Sequence, residues 1–207
     1  GVENTAIGVG ALEADSSGSW NTAVGRYAGF LNKRGDLNVA IGMQAAVSND
    51  TADVTTFVGY LSGYYNRNNY NTGLGAYALT YNNFTTGSNT TGAENTGLGY
   101  GAGYRINLGS QNTAVGFQSM NGGGPYISGN RNVAVGDSTL FSFSTGNDNV
   151  AMGYKALSNA QTGSQSVAIG SRALRDFSGT YPNTAIGYSS MDSVTTNGAN
   201  TAVGSYT

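Results

Sequence analysis

The sequence predicts an all-β fold, a parallel β-solenoid or β-roll of twelve coils with about 17 residues in each coil. Three observations predict it: a pentapeptide that recurs at a nearly constant spacing, an alternation of large and small residues within it, and a composition with few apolar residues. Leu, Ile, Val and Phe make up about 18% of the chain, a level at which one large globular core is rarely built. The net charge is only −2, which is not typical of a disordered chain. Stacked repeats reconcile these facts because they bury a thin continuous core.

The recurring pentapeptide reads Asn-Thr/Val-Ala-Val/Ile-Gly in most of its twelve copies, the first at Asn4 and the last at Asn200. Eight of the eleven spacings between successive closing glycines are 17 residues. This period predicts one solenoid coil per repeat. We assign to the structural repeat the residues Asn4, Gly8, Asn21, Gly25, Asn38, Gly42, Gly59, Gly75, Gly99, Gly116, Gly136, Gly153, Gly170, Gly187 and Gly204.

Within each copy the side chains alternate in size, as they do along a β-strand. The second and fourth positions, such as Thr22 and Val24, are β-branched or large, whereas Asn, Ala and Gly occupy the other three. We expect the large face to fill the interior of the coil and the small face to lie outside, where a second chain could approach closely. The glycine suits a positive φ or close packing between coils. The asparagine can hydrogen-bond the local backbone or stack on the asparagine of the next coil.

The remainder of the repeat predicts a turn and a second, shorter strand. Two variable residues follow the glycine, then a small residue and often Leu or Met, as in Ala156-Leu157. We expect the variable pair to form the turn and the Ala-Leu step to start the second strand. Residues 1–207 then form a single repeat-built domain, which we expect to be a segment of a longer fibre. Its thin coils favour side-by-side assembly, and insertions at about 80–94 and 121–131 break the period.

The composition also excludes several classes of chemistry. With no Cys and no His, the chain has no thiol nucleophile, disulfide, imidazole base or imidazole metal ligand. Nine scattered cations argue against a nucleic-acid partner, and no apolar run is long enough for direct membrane insertion of this segment. The carboxylates that lie close in sequence have no converging aromatic and basic groups, so we expect no enzymatic activity. These are Glu13 with Asp15 and Asp50 with Asp53. We also expect no cofactor and no metal ion, because no aspartate recurs at the repeat period.

Binding residues are expected where the period breaks, because insertions in solenoids form loops that often bind. The two insertions contain aromatic and amide residues, and eight of the 14 tyrosines lie between Tyr60 and Tyr104. A Tyr ring has a flat apolar face and a polar tip, which suit it to stack on a sugar or to grip a protein. Two alternatives stay open: insertions are tolerated in any surface loop, and the tyrosines can pack between coils or against a second chain. The candidate ligand-binding residues are Tyr64, Tyr65, Tyr81, Asn83, Phe84 and Tyr126.

The repeats NTAIGxxAL at Asn4 and NVAVGxxTL at Asn132 resemble the head repeats of YadA-like trimeric autotransporter adhesins. They are also similar to NTAxG repeats in trimeric tail fibres of bacteriophages. The likeness covers the chain from Asn4 to Thr207, with one degenerate copy in which Phe57 stands where other copies have Ala or Gly. The resemblance implies a left-handed β-roll, a side-by-side homotrimer and an extracellular location on a bacterial cell surface or a virion fibre.

These observations predict a non-enzymatic extracellular fibre or adhesin head that attaches to a glycan or protein on the surface of a host or target cell. One alternative is a structural spacer shaft of a phage tail fibre or surface fibre, with the binding tip elsewhere. Another is an ice-binding solenoid, because Thr occupies the second motif position in eight of the twelve copies. Val occupies it in the other four, and this exchange argues for a buried β-branched position rather than an exposed hydroxyl array.

Overall fold

The strands of the molecule are short, regularly spaced and all parallel. The structure is a computed structural model that describes residues 1–82, 92–124, 126–177, 179–194 and 198–207. Each strand pairs in parallel with the next one along the chain, so the sheet runs in order from the first strand to the twelfth. The predicted all-β parallel solenoid is confirmed, and the described residues contain no helix. The strands are β1 (Thr5–Ile7), β2 (Thr22–Val24), β3 (Val39–Ile41), β4 (Thr56–Val58), β5 (Thr72–Leu74), β6 (Thr96–Leu98), β7 (Thr113–Val115), β8 (Val133–Val135), β9 (Val150–Met152), β10 (Val167–Ile169), β11 (Thr184–Ile186) and β12 (Thr201–Val203).

The register places equal motif positions beside each other in every pair of strands. Counting the motif asparagine as position 1 of a coil, the strand covers positions 2 to 4 and the glycine is position 5. Gly73 in β5 lies opposite Gly97 in β6, although the longer insertion separates them in sequence. The period-breaking insertions therefore leave the sheet in register.

The side chains of the strands have the opposite orientation from the one predicted. The alanine at position 3 points inward, and Ala23 and Ala114 are completely buried. Residues at positions 2 and 4 point outward, and Ile41 and Leu98 at position 4 are 38% and 45% exposed. The expectation that the large face fills the coil was wrong. The thin interior instead pairs a small residue at position 3 with a large one at position 9, such as the fully buried Leu140.

The predicted second strand is also absent from the described part of the coils. In the seventh coil, Gln118 at position 7 and Met120 at position 9 have φ values of 50° and 48°, in the left-handed region. Alternate left-handed residues curl the backbone, so it cannot run as an extended strand. Neighbouring coils are still joined there: the N–H of Gln118 donates to the carbonyl oxygen of Tyr100, and the N–H of Met120 donates to that of Thr139, both at 2.8 Å.

The asparagines at position 1 form a buried ladder, as one of the two predicted roles requires. The N–H of Asn112 donates to Oδ1 of Asn95 at 2.9 Å, and Oδ1 of Asn112 accepts the N–H of Asn132 at 2.9 Å. Nδ2 of Asn112 donates to the carbonyl oxygen of Gly129 at 2.9 Å. Each side chain thus satisfies buried backbone groups in its own coil and in the next.

The glycine at position 5 meets both predicted demands. Gly42 has a φ of +131°, and a Cβ there would lie 2.6 Å from the carbonyl oxygen of Gly59 in the next coil. The degenerate fourth repeat is explained by packing. Phe57 is completely buried, and a Cβ on Gly73 would lie 2.7 Å from its ring. Gly63 stands at position 9 of the same coil, so the Phe57 ring fills the space that Leu or Met fills in other coils.

Candidate functional site

Aromatic side chains from four neighbouring coils form one connected cluster on the surface. Stacking of the coils brings rings of successive coils together: the ring centroids of Tyr60 and Tyr77, at positions 6 and 7 of adjacent coils, are 5.3 Å apart. Aromatic pairs at such distances attract each other beyond the area they bury. We call the following nine described rings the tyrosine cluster: Tyr60, Tyr64, Tyr65, Tyr77, Tyr81, Tyr100, Tyr104, Phe117 and Tyr126.

Four of the six candidate residues lie in this cluster. The ring centroids of Tyr64 and Tyr65 are 4.5 Å apart, and Tyr65 stacks on Tyr81 at 5.3 Å with an interplanar angle of 24°. Tyr126, from the second insertion, lies 6.5 Å from Tyr81. The other two candidates, at positions 83 and 84, lie outside the described residues. The structure therefore brings tyrosines from four different coils to one place.

Sequence reasoning did not select the centre of the cluster. Tyr77 contacts Tyr60, lies 5.5 Å from Tyr100 and lies 6.2 Å from Tyr104. Tyr100 in turn stacks almost parallel on Phe117, with a centroid distance of 5.4 Å and an angle of 14°. The signal was available in the coil spacing, because Tyr100 and Phe117 are 17 residues apart. An alignment of aromatic residues by coil position would have found this pair, but not Tyr77, which is at position 7 whereas Tyr60 and Tyr100 are at position 6.

A cleft of about 320 Å³ opens within the cluster. Its walls carry Tyr rings, and two amide side chains, Gln118 and Asn121, stand at one end. Amides offer both hydrogen-bond donors and acceptors, and ring faces offer stacking surfaces. None of the residues that line this cleft is charged, so the cleft can bind by stacking and hydrogen bonding but offers no acid-base pair. The lining residues are Tyr77, Tyr100, Gly101, Tyr104, Gln118 and Asn121.

Three tyrosines of the cluster have a raised pKa, first because of burial and then because of neighbouring phenols. Burial, with a hydrogen bond to Tyr81, raises the pKa of Tyr104 to about 12. Burial raises the pKa of Tyr77 and Tyr65 as well, with the neighbouring phenols Tyr60 and Tyr64 adding to the effect. A neutral phenol both donates and accepts a hydrogen bond, so these groups are available to a polar ligand over the physiological pH range.

A second surface feature is the outward face of the sheet, made of positions 2 and 4, which we call the outer sheet face. Adjacent strands place equal residues side by side, so the exposed apolar side chains at position 4 form a continuous row. Contiguous apolar surface of this kind is typical of protein–protein contacts. The large residues of this row that are more than a third exposed are Ile7, Ile41, Leu74, Leu98, Met152, Ile169, Ile186 and Val203.

The carboxylates considered for catalysis have structural contacts. Asp15 accepts the N–H of Gly18 at 2.7 Å, and Asp53 accepts the N–H of Asp36 at 2.8 Å. Asp50 forms an ion pair with Lys33 at 3.6 Å. These side chains fix the turns that return the chain to the sheet.

Comparisons with protein-family models, with curated proteins and with solved structures find no match to this chain. Within the described residues, no group of three or more His, Cys, Asp or Glu side chains could hold a metal ion. The same part of the chain has no helix of the length and apolar character needed to cross a membrane. The site is therefore characterised by its own geometry: an aromatic surface, an uncharged cleft and a separate apolar face.

Proposed function

We propose that this chain is a non-enzymatic segment of an extracellular fibre, on a bacterial surface or a virion, and that it attaches to a glycan or protein receptor. The observation that carries the proposal is the tyrosine cluster of nine described rings, three of which line an uncharged cleft together with two amides. Such surfaces bind sugars and proteins by stacking and hydrogen bonds at low conformational cost. Several weak sites on one fibre would bind with avidity.

The attachment surface requires a stable assembly, and we propose a side-by-side homotrimer formed through the outer sheet face. Support comes from the row of exposed Ile, Leu, Met and Val side chains at position 4. This reverses the reasoning from sequence, in which the small residues formed the contact. The number of chains and the left-handed winding of the roll follow from the resemblance to trimeric adhesins and tail fibres.

The assembly is tested by light scattering. We expect a solution mass near three times 21.2 kDa for the chain. The double variant Leu98→Arg/Ile169→Arg places charges in the outer sheet face and should yield monomers. Leu108→Arg is the matched control, since Leu108 is 39% exposed but lies outside the strands. A double variant that keeps the parent mass would contradict assembly through this face.

Attachment is tested with the chain on arrays of immobilised glycans and cell-surface proteins. We expect the double variant Tyr100→Ala/Phe117→Ala to lose binding at least tenfold, because each ring is half exposed and they stack on each other. Tyr181→Ala is the control, because Tyr181 is 55% exposed and lies outside the cluster. Equal binding of the double variant and the control would refute the site. A trimer that binds nothing would favour the spacer shaft.

One observation favours ice binding as a second candidate. Position 2 is outward-facing, so Thr72, Thr96 and Thr113 stand in register on neighbouring strands. The expectation that this position is buried was wrong, and with it the argument against an exposed hydroxyl row. A measurement of thermal hysteresis distinguishes ice binding from attachment. A monomeric chain that depresses the freezing point, together with a Thr96→Lys variant that does not, would support ice binding. A trimer without hysteresis would exclude it.

A further inference from the structure

Three surface clefts lie along the same side of the solenoid, between the same two columns of side chains. Positions 7 and 10 of successive coils form the columns, whereas position 8 carries a small buried residue and position 9 points into the core. The surface therefore dips between the columns. The first cleft, of about 210 Å³, lies between Tyr27 and Gln44 on one side and Phe30, Val47 and Tyr64 on the other.

The cleft of the tyrosine cluster is the second of the three and continues this line. Gln118 lines both this second cleft and the third one. That third cleft, of about 550 Å³, has Gln118, Ser138 and Lys155 on the position-7 side. Phe141 and Ser158 stand on the position-10 side. The three clefts together extend from the second coil to the tenth, which is about 38 Å at the spacing of parallel strands. We call this feature the axial groove.

The floor of the axial groove cannot add a peptide strand. Its backbone N–H groups are already bonded between coils, as those of Gln118 and Met120 are to Tyr100 and Thr139. A ligand in the groove must therefore be recognised by side chains, without the main-chain hydrogen bonds by which extended peptides dock on sheet edges. This favours a ligand rich in its own hydroxyl groups.

The walls of the groove match such a ligand. Along the axis come the rings of Tyr77 and Tyr104 in the fifth and sixth coils, then the amides Gln118 and Asn121 in the seventh, and then the ring of Phe141 in the eighth. Rings can stack on the apolar face of a sugar, and amides can bond neighbouring hydroxyls as donor and acceptor together. Because these rings and amides come from different coils along the axis, the groove presents several subsites to a polymer rather than one pocket.

The charged end of the groove carries one cation that no described carboxylate neutralises. Arg175 is paired with Asp176 at 2.6 Å and with Asp192 at 3.1 Å. Lys155, by contrast, has no ion pair within the described residues, and its Nζ lies 5.1 Å from the centroid of the Tyr154 ring. An anionic group beside Lys155 would therefore meet an uncompensated positive charge.

We propose that the axial groove binds a linear acidic polysaccharide that lies along the solenoid axis, with the carboxylate of a uronic acid at Lys155. The inference rests on the proposed attachment function and names the receptor class. Sugar rings stack on the aromatic side chains of the groove, and their hydroxyl groups form hydrogen bonds with the amides Gln118 and Asn121. The carboxylate of the uronic acid lies beside Lys155. Contacts in several coils make affinity depend on ligand length, which a single-sugar pocket would not do.

The experiment titrates the 207-residue chain with oligogalacturonates of increasing length and with neutral xylo-oligosaccharides as controls. We expect affinity for the acidic series to rise with length and then level off once the groove is filled. Lys155→Gln should weaken binding of the longest acidic oligomer about tenfold, the loss expected for one charge-assisted hydrogen bond. It should also reduce the salt dependence of binding. Lys33→Gln is the matched control, because Lys33 lies outside the groove beside Asp50.

Each other outcome overturns the inference in a recognisable way. Affinity that does not change with length, or equal affinities of Lys155→Gln and Lys33→Gln, would exclude the groove as a polysaccharide site. Displacement of the acidic oligomer by a proline-rich peptide of higher affinity would show that the groove docks extended peptides instead. Binding to array ligands that depends on Tyr100 and Phe117, without any binding of oligogalacturonate, would leave the attachment function standing and reject only this ligand class.

Discussion

The two sides of each coil differ in how strictly they repeat. On the sheet side, an asparagine or its substitute and a glycine recur in every coil, and a small inward residue recurs in every coil except the fourth, as at Asn112, Ala114 and Gly116. On the groove side, position 7 is Tyr77 in one coil, Gln118 two coils later and Lys155 two coils after that. The difference follows from the contacts: the repeated residues touch the next coil, whereas groove residues face solvent. The residues that determine the fold are therefore concentrated on the sheet side of each coil, whereas the residues on the groove side can vary in their chemistry.

The largest effect is expected where a repeated core position departs from the pattern. Phe57→Ala should lower the free energy of unfolding by about 3–5 kcal/mol, because the ring is completely buried and leaves a cavity. The double variant Phe57→Ala/Gly63→Leu introduces the Ala and Leu pair that the eighth coil has at Ala134 and Leu140. Gly63 has a φ of +61°, close to the 48° of Leu79, so Leu fits the backbone there.

Urea unfolding at one protein concentration measures both variants. We expect the double variant to recover at least half of the loss, whereas Gly63→Leu alone should destabilise the chain because the Phe57 ring occupies the space. If the double variant were less stable than Phe57→Ala, the assignment of that space to the position-9 side chain would be wrong.

The next largest loss of stability is expected at the contact between the position-5 glycines of neighbouring coils. Gly42→Ala should lower the free energy of unfolding by about 3 kcal/mol, since a strained φ and an overpacked contact each contribute about 1–3 kcal/mol. Gly124→Ala is the control: it adds the same methyl group where no other atom lies within 4 Å. Thermal unfolding of the two variants should differ clearly. Equal melting temperatures would mean that coils can separate at position 5 without loss.

A smaller effect is expected for the asparagine ladder. Asn112→Ala should lower the free energy of unfolding by about 2 kcal/mol, because the buried N–H of Asn132 loses its acceptor. Asn112→Ser should cost less, since the chain already uses Ser166 in the ladder, where Oγ accepts the N–H of Asn183 at 3.1 Å. Urea unfolding of both variants checks this order. Equal costs would show that the ladder acts by packing and not by hydrogen bonding.

The smallest effect concerns the groove side and depends on pH. The pKa of Tyr104 is raised from 10.0 to about 12 in the folded chain, so its contribution to stability is fully present below pH 10. That contribution should be lost as the pH rises from about 10 to about 12. Ultraviolet absorbance of tyrosinate follows the titration, and Tyr104→Phe should remove the highest step. A wild-type chain with no tyrosine titrating above its ordinary range would contradict the partial burial of Tyr104 and its hydrogen bond to Tyr81.

The sequence predicted the residues of the tyrosine cluster only in part. Tyr81 and Tyr126 were found because they lie at the insertions, and Tyr64 and Tyr65 because tyrosine is enriched between Tyr60 and Tyr104. Tyr77 lies in the same enriched stretch, but nothing in the sequence distinguished it as the centre. Its importance comes from contacts to rings in the coils before and after it, which depend on stacking in three dimensions.

The sequence by itself determined the parallel solenoid, the strand at each of the twelve pentapeptides and the glycines at position 5. These follow from a constant period and from residue types whose conformational demands are local. Only the tertiary structure decided which face of the strand is buried. Alternation predicts two faces but does not say which one points inward. Where position 9 carries a large side chain such as Leu140, the interior has room only for alanine or glycine opposite, and in the fourth coil Gly63 makes space for Phe57. The large residues are left outside, and this reversal creates the apolar face and frees the other side of the coil to form the groove.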